Sequence, residues 1–243
     1  MEADLLMIAM TGDCYMNEAL YSKKVTCPIC GKQFSSMKAK VNSCKVAKKD
    51  EDFCTHYVDL NPAYYDIFVC PFCAYSAAES SFSELSEAEI KLLKEAFSGR
   101  TVGRSFCTER TLNDAIATCK LAIHTAEMRK AKASTLAALC LKLAWLYRFA
   151  EDKQEEVFLN YALKNYLEAF DKEELPLGNL NEISVLYLLG ELSRRLGKYN
   201  DAIVWFGKAV SSPERTDNPR IERMAREQWN LAKEQNKKKG KAV

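Results

Sequence analysis

The stretches Cys27-Pro28-Ile29-Cys30 and Cys70-Pro71-Phe72-Cys73 decide the fold of the first third of this 243-residue chain. Each is a Cys-x-x-Cys pair with a proline after its first cysteine. Two cysteines at this spacing can turn onto one ion, and two such turns complete the tetrahedron of thiolates that zinc prefers. The sequence therefore predicts a structural metal site with zinc as the expected ion and iron, in a rubredoxin-like site, as the alternative. Its four predicted ligands are Cys27, Cys30, Cys70 and Cys73.

The residues around the two pairs predict a small β module of the zinc-ribbon or rubredoxin-like kind over residues 1–80. β-Prone segments precede both pairs, at Val25-Thr26 and at Tyr65-Asp66-Ile67-Phe68-Val69. Gly31 follows the first pair, where glycine suits a tight turn, whereas the second pair has Ala74 in that place. Because such a module has little core, we expect metal binding to supply most of its folding free energy.

Cys54 and His56 lie between the two pairs and are candidate additional metal ligands. A Cys₃His site would displace one cysteine of the pairs, and a second site would need further ligands, of which only Cys44 is near in sequence. The simpler interpretation is that Cys54 packs beside Phe53 as a small hydrophobic residue. Thiol–disulfide chemistry would place the first cysteine of a pair at the start of a helix, and neither pair opens a convincing helix.

Cysteine usage and charge restrict the class of protein. The chain has ten cysteines and a formal net charge of +2, so its overall charge names no partner. The apolar run from Leu5 to Met10 is too short for a secretory leader, and no run approaches the length of a membrane span. These features predict a reducing, cytoplasmic compartment with thiols free or bound to metal, and no membrane association. No catalytic constellation is visible, so we expect a protein that is not an enzyme.

From Ser81 onward the pattern is helical, and it predicts an all-α domain over residues 81–236 and a basic, disordered tail at residues 237–243. Ser86-Glu87-Ala88-Glu89 has the form of a capping box at a helix start. Three later segments share a small–large–small pattern that lets a helix approach its neighbour closely, namely Ala115-Cys119-Ala122, Ala162-Tyr166-Ala169 and Ala202-Phe206-Ala209. This pattern resembles the second helix of a tetratricopeptide repeat, and the best copy runs from Ile183 to Ala209.

Two surfaces suggest different partners. Stacked helix pairs form a groove that commonly receives a peptide or a partner surface, which predicts a protein-binding role. The stretch 23–49 is rich in lysine and poor in acidic residues, so contact with nucleic-acid phosphates is an alternative. It contains no arginine for bidentate recognition of bases. Its lysines are Lys23, Lys24, Lys32, Lys38, Lys40, Lys45, Lys48 and Lys49.

Several motifs along the chain resemble a bacterial family known as domain of unknown function 2225. They are Lys24-Val25-Thr26-Cys27-Pro28-Ile29-Cys30-Gly31-Lys32, Asp52-Phe53-Cys54, Asn61-Pro62, Tyr64-Tyr65-Asp66, Val69-Cys70-Pro71-Phe72-Cys73, Leu143-Ala144-Trp145-Leu146-Tyr147-Arg148 and Met224-Ala225-Arg226-Glu227-Gln228-Trp229. The resemblance covers nearly the whole chain. It implies a bacterial protein with an N-terminal metal module and tetratricopeptide-like helices, and it implies no known activity.

Together these observations predict a mainly α protein that acts as a zinc-stabilised adaptor and binds a protein or peptide in its helical groove. The first alternative is a zinc protein that binds nucleic acid through the stretch 23–49. The second alternative is a rubredoxin-like iron protein or a thiol redox protein that uses the cysteine pairs.

Overall fold

The computed structural model describes residues 18–100 and 103–241, which are mainly helical with three small two-stranded sheets near the N-terminal end. The strands are β1 (Leu20–Thr26), β2 (Gln33–Ala39), β3 (Val46–Lys49), β4 (Thr55–Tyr57), β5 (Ile67–Val69) and β6 (Ser76–Ala78). The helices are α1 (Glu87–Phe97), α2 (Leu112–Met128), α3 (Ala133–Phe149), α4 (Gln154–Lys172), α5 (Glu182–Arg195), α6 (Tyr199–Ser211) and α7 (Pro219–Lys241). The predicted mainly α class with small β elements before the helices is confirmed.

Each sheet is an antiparallel hairpin of consecutive strands, and two of the hairpins carry the cysteine pairs. In the first hairpin Thr26 is paired with Gln33, so residues 27–32 form its loop. In the third hairpin Val69 is paired with Ser76, so residues 70–75 form its loop. Both predicted β-prone segments therefore contain a strand that ends directly before the first cysteine. Tyr65 and Asp66 of the second segment lie instead in a 3₁₀ helix and at its C-terminal cap.

Helix α1 packs on the β elements that hold the cysteines. Its start is the predicted capping box, in which Ser86 Oγ accepts from the Glu89 backbone N–H and the Glu89 carboxylate accepts from the Ser86 backbone N–H. Leu93 and Phe97 of α1 are buried in the same hydrophobic cluster as the cysteines. The sequence assigns α1 to the all-α domain that begins at residue 81. In the structure, however, α1 covers the sulfur cluster.

Helices α2 to α7 pack on one another through the predicted small–large–small pattern. Helix α2 lies against β5, β6 and α3, and α3 packs on α4, α5 on α6 and α6 on α7. All nine residues of the pattern are buried. Six of them have no exposed surface, namely Cys119, Ala162, Ala169, Ala202, Phe206 and Ala209. Small residues on either side of one large residue therefore let these helices approach closely, as the sequence predicts.

The C-terminal end differs from the predicted disordered tail. Helix α7 continues to Lys241, so residues 237–241 are helical. The Lys239 ammonium donates to the Gly197 carbonyl at 3.1 Å and lies over the Tyr199 ring, and these contacts hold the last turns of α7 against the loop before α6. The predicted N-terminal element at residues 5–10 lies outside the described residues. Within the described ranges, no helix combines the length and apolar character needed to cross a bilayer.

Gly190 lies on α5 directly against the Phe206 side chain of α6. A Cβ atom at this position would lie 2.6 Å from a ring carbon of Phe206. We expect Gly190→Ala to lower the free energy of unfolding by roughly 1–3 kcal/mol, because overpacking outweighs the gain in helix propensity. Urea unfolding followed by circular dichroism would measure this change.

Gly207 on α6 provides a matched control, since a Cβ atom there would meet only Trp229, at 3.9 Å. Gly207→Ala should leave the protein as stable as the wild type or stabilise it by up to about 1 kcal/mol. Equal stability of the two variants would show that α5 and α6 are not as close as described.

Candidate metal centre

The structure brings together the four predicted ligands Cys27, Cys30, Cys70 and Cys73, whose sulfur atoms all lie within 4.8 Å of one another. The Sγ atoms of Cys27 and Cys73 are 3.7 Å apart, and those of Cys30 and Cys70 are 3.6 Å apart. A tetrahedron with metal–sulfur distances of about 2.3 Å has edges of about 3.8 Å. The sulfur atoms therefore fit one tetrahedral metal ion held by two hairpin loops.

Both loops fold through the same turn, although only one of them contains glycine. The Gly31 N–H donates to the Cys27 carbonyl at 2.9 Å, and the Ala74 N–H donates to the Cys70 carbonyl at 3.0 Å. Gly31 has φ of +72° and Ala74 has φ of +66°. Alanine in this left-handed region costs roughly 1–2 kcal/mol. The geometry of the turn therefore outweighs the preference of alanine for negative φ. Ala74 departs from the expected sequence but not from the expected geometry.

The sulfur cluster lies mostly inside a hydrophobic core. Cys27 and Cys70 have no exposed surface, Cys73 is buried and Cys30 is half-buried. The surrounding apolar side chains come from the first and third hairpins and from α1, and they include Phe68, Tyr75, Phe82, Leu93 and Phe97. Charge in such a place is unfavourable unless an opposite charge compensates it, and a dication would supply that charge.

The four thiols lie close enough to share protons with one another. The interaction between Cys27 and Cys70 raises the pKa of Cys27 to about 12 and lowers the pKa of Cys70 to about 2. The pKa of Cys73 is raised, first by its hydrogen bond with Cys27. Metal binding to all four sulfurs must therefore release protons, because thiolates are the ligands.

Cys54 and His56 lie outside this cluster and form a second group with Asp50. His56 Nε2 is 2.7 Å from Asp50 Oδ2, and that same oxygen accepts from Arg148 at 2.9 Å. Burial raises the pKa of Cys54 to about 12. A cation here would meet a guanidinium group and a thiol, and the carboxylate is already used by Arg148.

We therefore expect Cys54→Ala to retain as much metal as the wild type. The reason is that Cys54 contributes a buried thiol to the second group and no sulfur to the four-cysteine cluster. Inductively coupled plasma mass spectrometry of the purified protein, with Cys44→Ala as a control, would measure metal per chain. Loss of metal from Cys54→Ala, or two ions per wild-type chain, would contradict this assignment.

Four lysines of the stretch 23–49 contact acidic side chains or backbone carbonyls, and Lys40 does so by donating to the Glu18 carbonyl at 3.0 Å. Lys38 is buried, and its ammonium donates to the Tyr65 carbonyl at 2.9 Å and lies 2.7 Å from Glu79. Lys23 also pairs with Glu79, and Lys48 pairs with Asp50 at 3.2 Å. These contacts interrupt the basic surface that the sequence suggests.

The sequence did not indicate two arginines that organise the structure, the buried Arg110 and the half-buried Arg148. Arg110 donates to the backbone carbonyls of Phe106, Tyr64 and Ile67, and burial lowers its pKa to about 10. Arg148 on α3 pairs with the fully buried Asp52 at 2.6 Å. Nothing in the sequence distinguishes Arg110. Asp52 and Arg148 both lie in motifs on which the family resemblance rests. Those motifs were the only feature of the sequence that could have drawn attention to this pair.

Residues 20–232 match a family described as Uncharacterized protein conserved in bacteria (DUF2225). The chain belongs to this family. The DUF2225 match spans both cysteine pairs and extends into α7, so the sulfur cluster and the helices lie within the same family region. The predicted family is confirmed. No curated protein and no solved structure matches the chain.

Proposed function

We propose that this DUF2225 protein is a zinc-stabilised adaptor, not an enzyme, whose tetratricopeptide-like helices bind a protein or peptide partner. The observation that carries the proposal is that α3 and α5 already hold a short segment of the chain between them. Arg148 of α3 binds the Asp52 carboxylate, and Tyr187 of α5 donates to the Glu51 carbonyl at 2.7 Å. Recognition of acidic side chains by arginine and of backbone by side chains is the chemistry of peptide binding.

Zinc is the proposed ion because a closed set of four cysteine ligands is typical of structural zinc sites. Four protein sulfurs fill a tetrahedron and leave no position for a substrate. An iron site with the same four sulfurs is the alternative, since both metals accept this geometry. In either case the ion ties the first hairpin to the third.

An affinity-capture experiment tests the adaptor role. We expect the immobilised wild-type protein to retain the same bacterial protein in repeated captures, and the purified partner to bind it directly. Charged substitutions on exposed apolar residues of the helices, such as Val157, Tyr161 and Val204, should reveal which face is used. The control is a variant in which the exposed lysines of the stretch 23–49 are replaced. The absence of any reproducible partner, or binding that no helical substitution reduces, would contradict the adaptor role.

Nucleic-acid binding is a second candidate, supported by lysines that stay exposed around the first two hairpins. They are Lys24, Lys32, Lys40, Lys45 and Lys49. Binding through these residues should weaken steeply as salt increases, because contacts with phosphates release counterions. Lys24→Glu, Lys45→Glu and Lys49→Glu together should then abolish a gel shift with duplex or single-stranded nucleic acid, and an unchanged shift would exclude this surface.

A further inference from the structure

The second hairpin carries an acidic turn at its tip, formed by residues 50–54 between β3 and β4. Lys49 pairs with Thr55 across the hairpin, and the Asp50 N–H donates to the Cys54 carbonyl at 2.8 Å. The Phe53 N–H donates to the Asp50 carbonyl at 3.0 Å, and Phe53 has φ of +70°. A bulky residue in this region of φ is a conformational outlier that surrounding contacts must hold in place.

The acidic turn inserts Asp52 into the face shared by α3 and α5, which we call the α3–α5 face (Trp145, Arg148, Tyr187, Glu191 and Arg195). The Asp52 carboxylate has no exposed surface and accepts two bonds from the Arg148 guanidinium, at 2.6 and 3.0 Å. It also accepts from Trp145 Nε1 at 3.2 Å and lies 3.6 Å from Arg195. A paired, two-bond contact of this kind selects a carboxylate by geometry as well as by charge.

The same face also holds the aromatic side chain and the backbone of the turn. The Phe53 ring lies 5.4 Å from the Tyr187 ring and packs against two hydrophobic clusters of the helical part. Tyr187 Oη donates to the Glu51 carbonyl. The contacts therefore depend on an acidic residue, on the aromatic residue that follows it and on the backbone before them.

Charge on the α3–α5 face is complementary to the turn. Arg148 pairs with Glu155 at 2.7 Å, and Glu191 pairs with both Arg194 and Arg195. Within this group, three guanidinium groups share two helical carboxylates, so the five side chains carry one positive charge more than they carry negative charges. The buried Asp52 carboxylate supplies a matching negative charge from outside the helices. Asp50 accepts a further bond from Arg148 and also pairs with Lys48 of its own hairpin.

We propose that the α3–α5 face is a recognition site for a segment with the pattern acidic–any–acidic–aromatic, and that the acidic turn is a built-in occupant that a partner segment displaces. The proposal rests on the adaptor function and names the chemistry of its partner. Desolvation offsets much of the attraction in buried ion pairs, and the strained Phe53 conformation adds a cost that an unstrained partner would not carry. The acidic turn can compete with a partner segment for the α3–α5 face, because its covalent tether gives it a high effective concentration there.

The tether includes the sulfur cluster. The turn lies between the two cysteine pairs, so an ion held by Cys27, Cys30, Cys70 and Cys73 closes the loop that carries it. A closed loop raises the effective concentration of the turn at the α3–α5 face. A partner segment should therefore bind the metal-bound protein more weakly than it binds a protein in which the turn cannot dock.

A synthetic peptide tests the proposal directly. It has the sequence of residues 47–57, with serine in place of Cys54, and its binding is measured by fluorescence anisotropy. A variant that combines Asp52→Ser with Phe53→Gly removes the groups that fill the α3–α5 face and lets water reach Arg148. We expect this variant to bind the peptide about 100-fold more tightly than the wild type does. A control peptide with asparagine in place of Asp50 and Asp52 should not bind.

Hydrogen–deuterium exchange on the wild-type protein gives a second readout, which remains valid if the variant does not fold. Saturating peptide should speed exchange in residues 50–57 while α3 and α5 stay protected. No binding by a folded variant, equal binding of the control peptide, or no change in exchange would overturn the proposal. A captured partner that binds the wild type and is not displaced by the peptide would overturn it too, while leaving the adaptor function intact.

Discussion

Changing Cys27 or Cys73 to serine should release the metal and unfold the N-terminal module, while helices α3 to α7 stay folded. A structural zinc site supplies about 10–16 kcal/mol to small metal domains, which matches or exceeds the whole stability of a typical domain of about 5–15 kcal/mol. The first and third hairpins share a core that is built around the four sulfurs, although β5 and β6 also pack on α2. The buried side chains of this shared core converge on the sulfur cluster and on α1, so loss of the ion removes its centre.

Three measurements on each variant would check this result. Metal per chain should fall from one to near zero, exchange in residues 20–80 should become fast, and helical circular dichroism should stay close to the wild-type value. Cys140→Ser is a matched control, because Cys140 is a buried cysteine on α3 that lies outside the cluster. Full retention of metal by Cys27→Ser or Cys73→Ser would overturn the assignment of the site.

The cysteine site could be predicted because its signal is local and chemically specific. A Cys-x-x-Cys pair fixes the separation of two sulfurs within one turn, so only the meeting of two pairs had to be inferred. The buried residues of α4 and α6 were predictable for a similar reason, since Ala162, Tyr166 and Ala169 lie on one face of any helix. In each case the helix or turn geometry already brings the residues together.

The contact between Asp52 and Arg148 could not be predicted in the same way. Ninety-six residues separate them, and the chain has 33 acidic and 35 basic side chains from which a pair would have to be chosen. Neither residue is distinguished by spacing, because the contact depends on how the second hairpin docks on the helices. Ala74 shows a related limit, since its left-handed conformation is imposed by the turn against the local preference of alanine.

The network around Arg148 also determines how acid should act on the protein. Burial would raise the pKa of Asp50, but hydrogen bonds from His56, Lys48 and Arg148 outweigh this effect and lower the pKa from 3.8 to about 2. A carboxylate with a lowered folded-state pKa stabilises the fold above its unfolded pKa. The contribution of Asp50 should therefore be complete above about pH 4 and be lost as the pH falls towards 2.

Arg148→Met should lower the free energy of unfolding by roughly 3–5 kcal/mol, the second large effect that the structure predicts. The change leaves the Asp52 carboxylate buried with Trp145 and the more distant Arg195 as its partners. Chemical denaturation would measure the loss. Arg226→Met is the matched control, because Arg226 makes an exposed pair with Glu222 four residues away on α7 and should cost less than about 1 kcal/mol.

A double-mutant cycle separates the ion pair from the packing of the Arg148 side chain. If the cost of Arg148→Met comes from an uncompensated buried charge, adding Asp52→Leu should restore much of the lost stability, since an apolar pair of similar size avoids desolvation. Additive losses in the double variant would instead assign the effect to lost packing. A loss in Arg148→Met no larger than in Arg226→Met would show that the acidic turn does not dock on α3 as described.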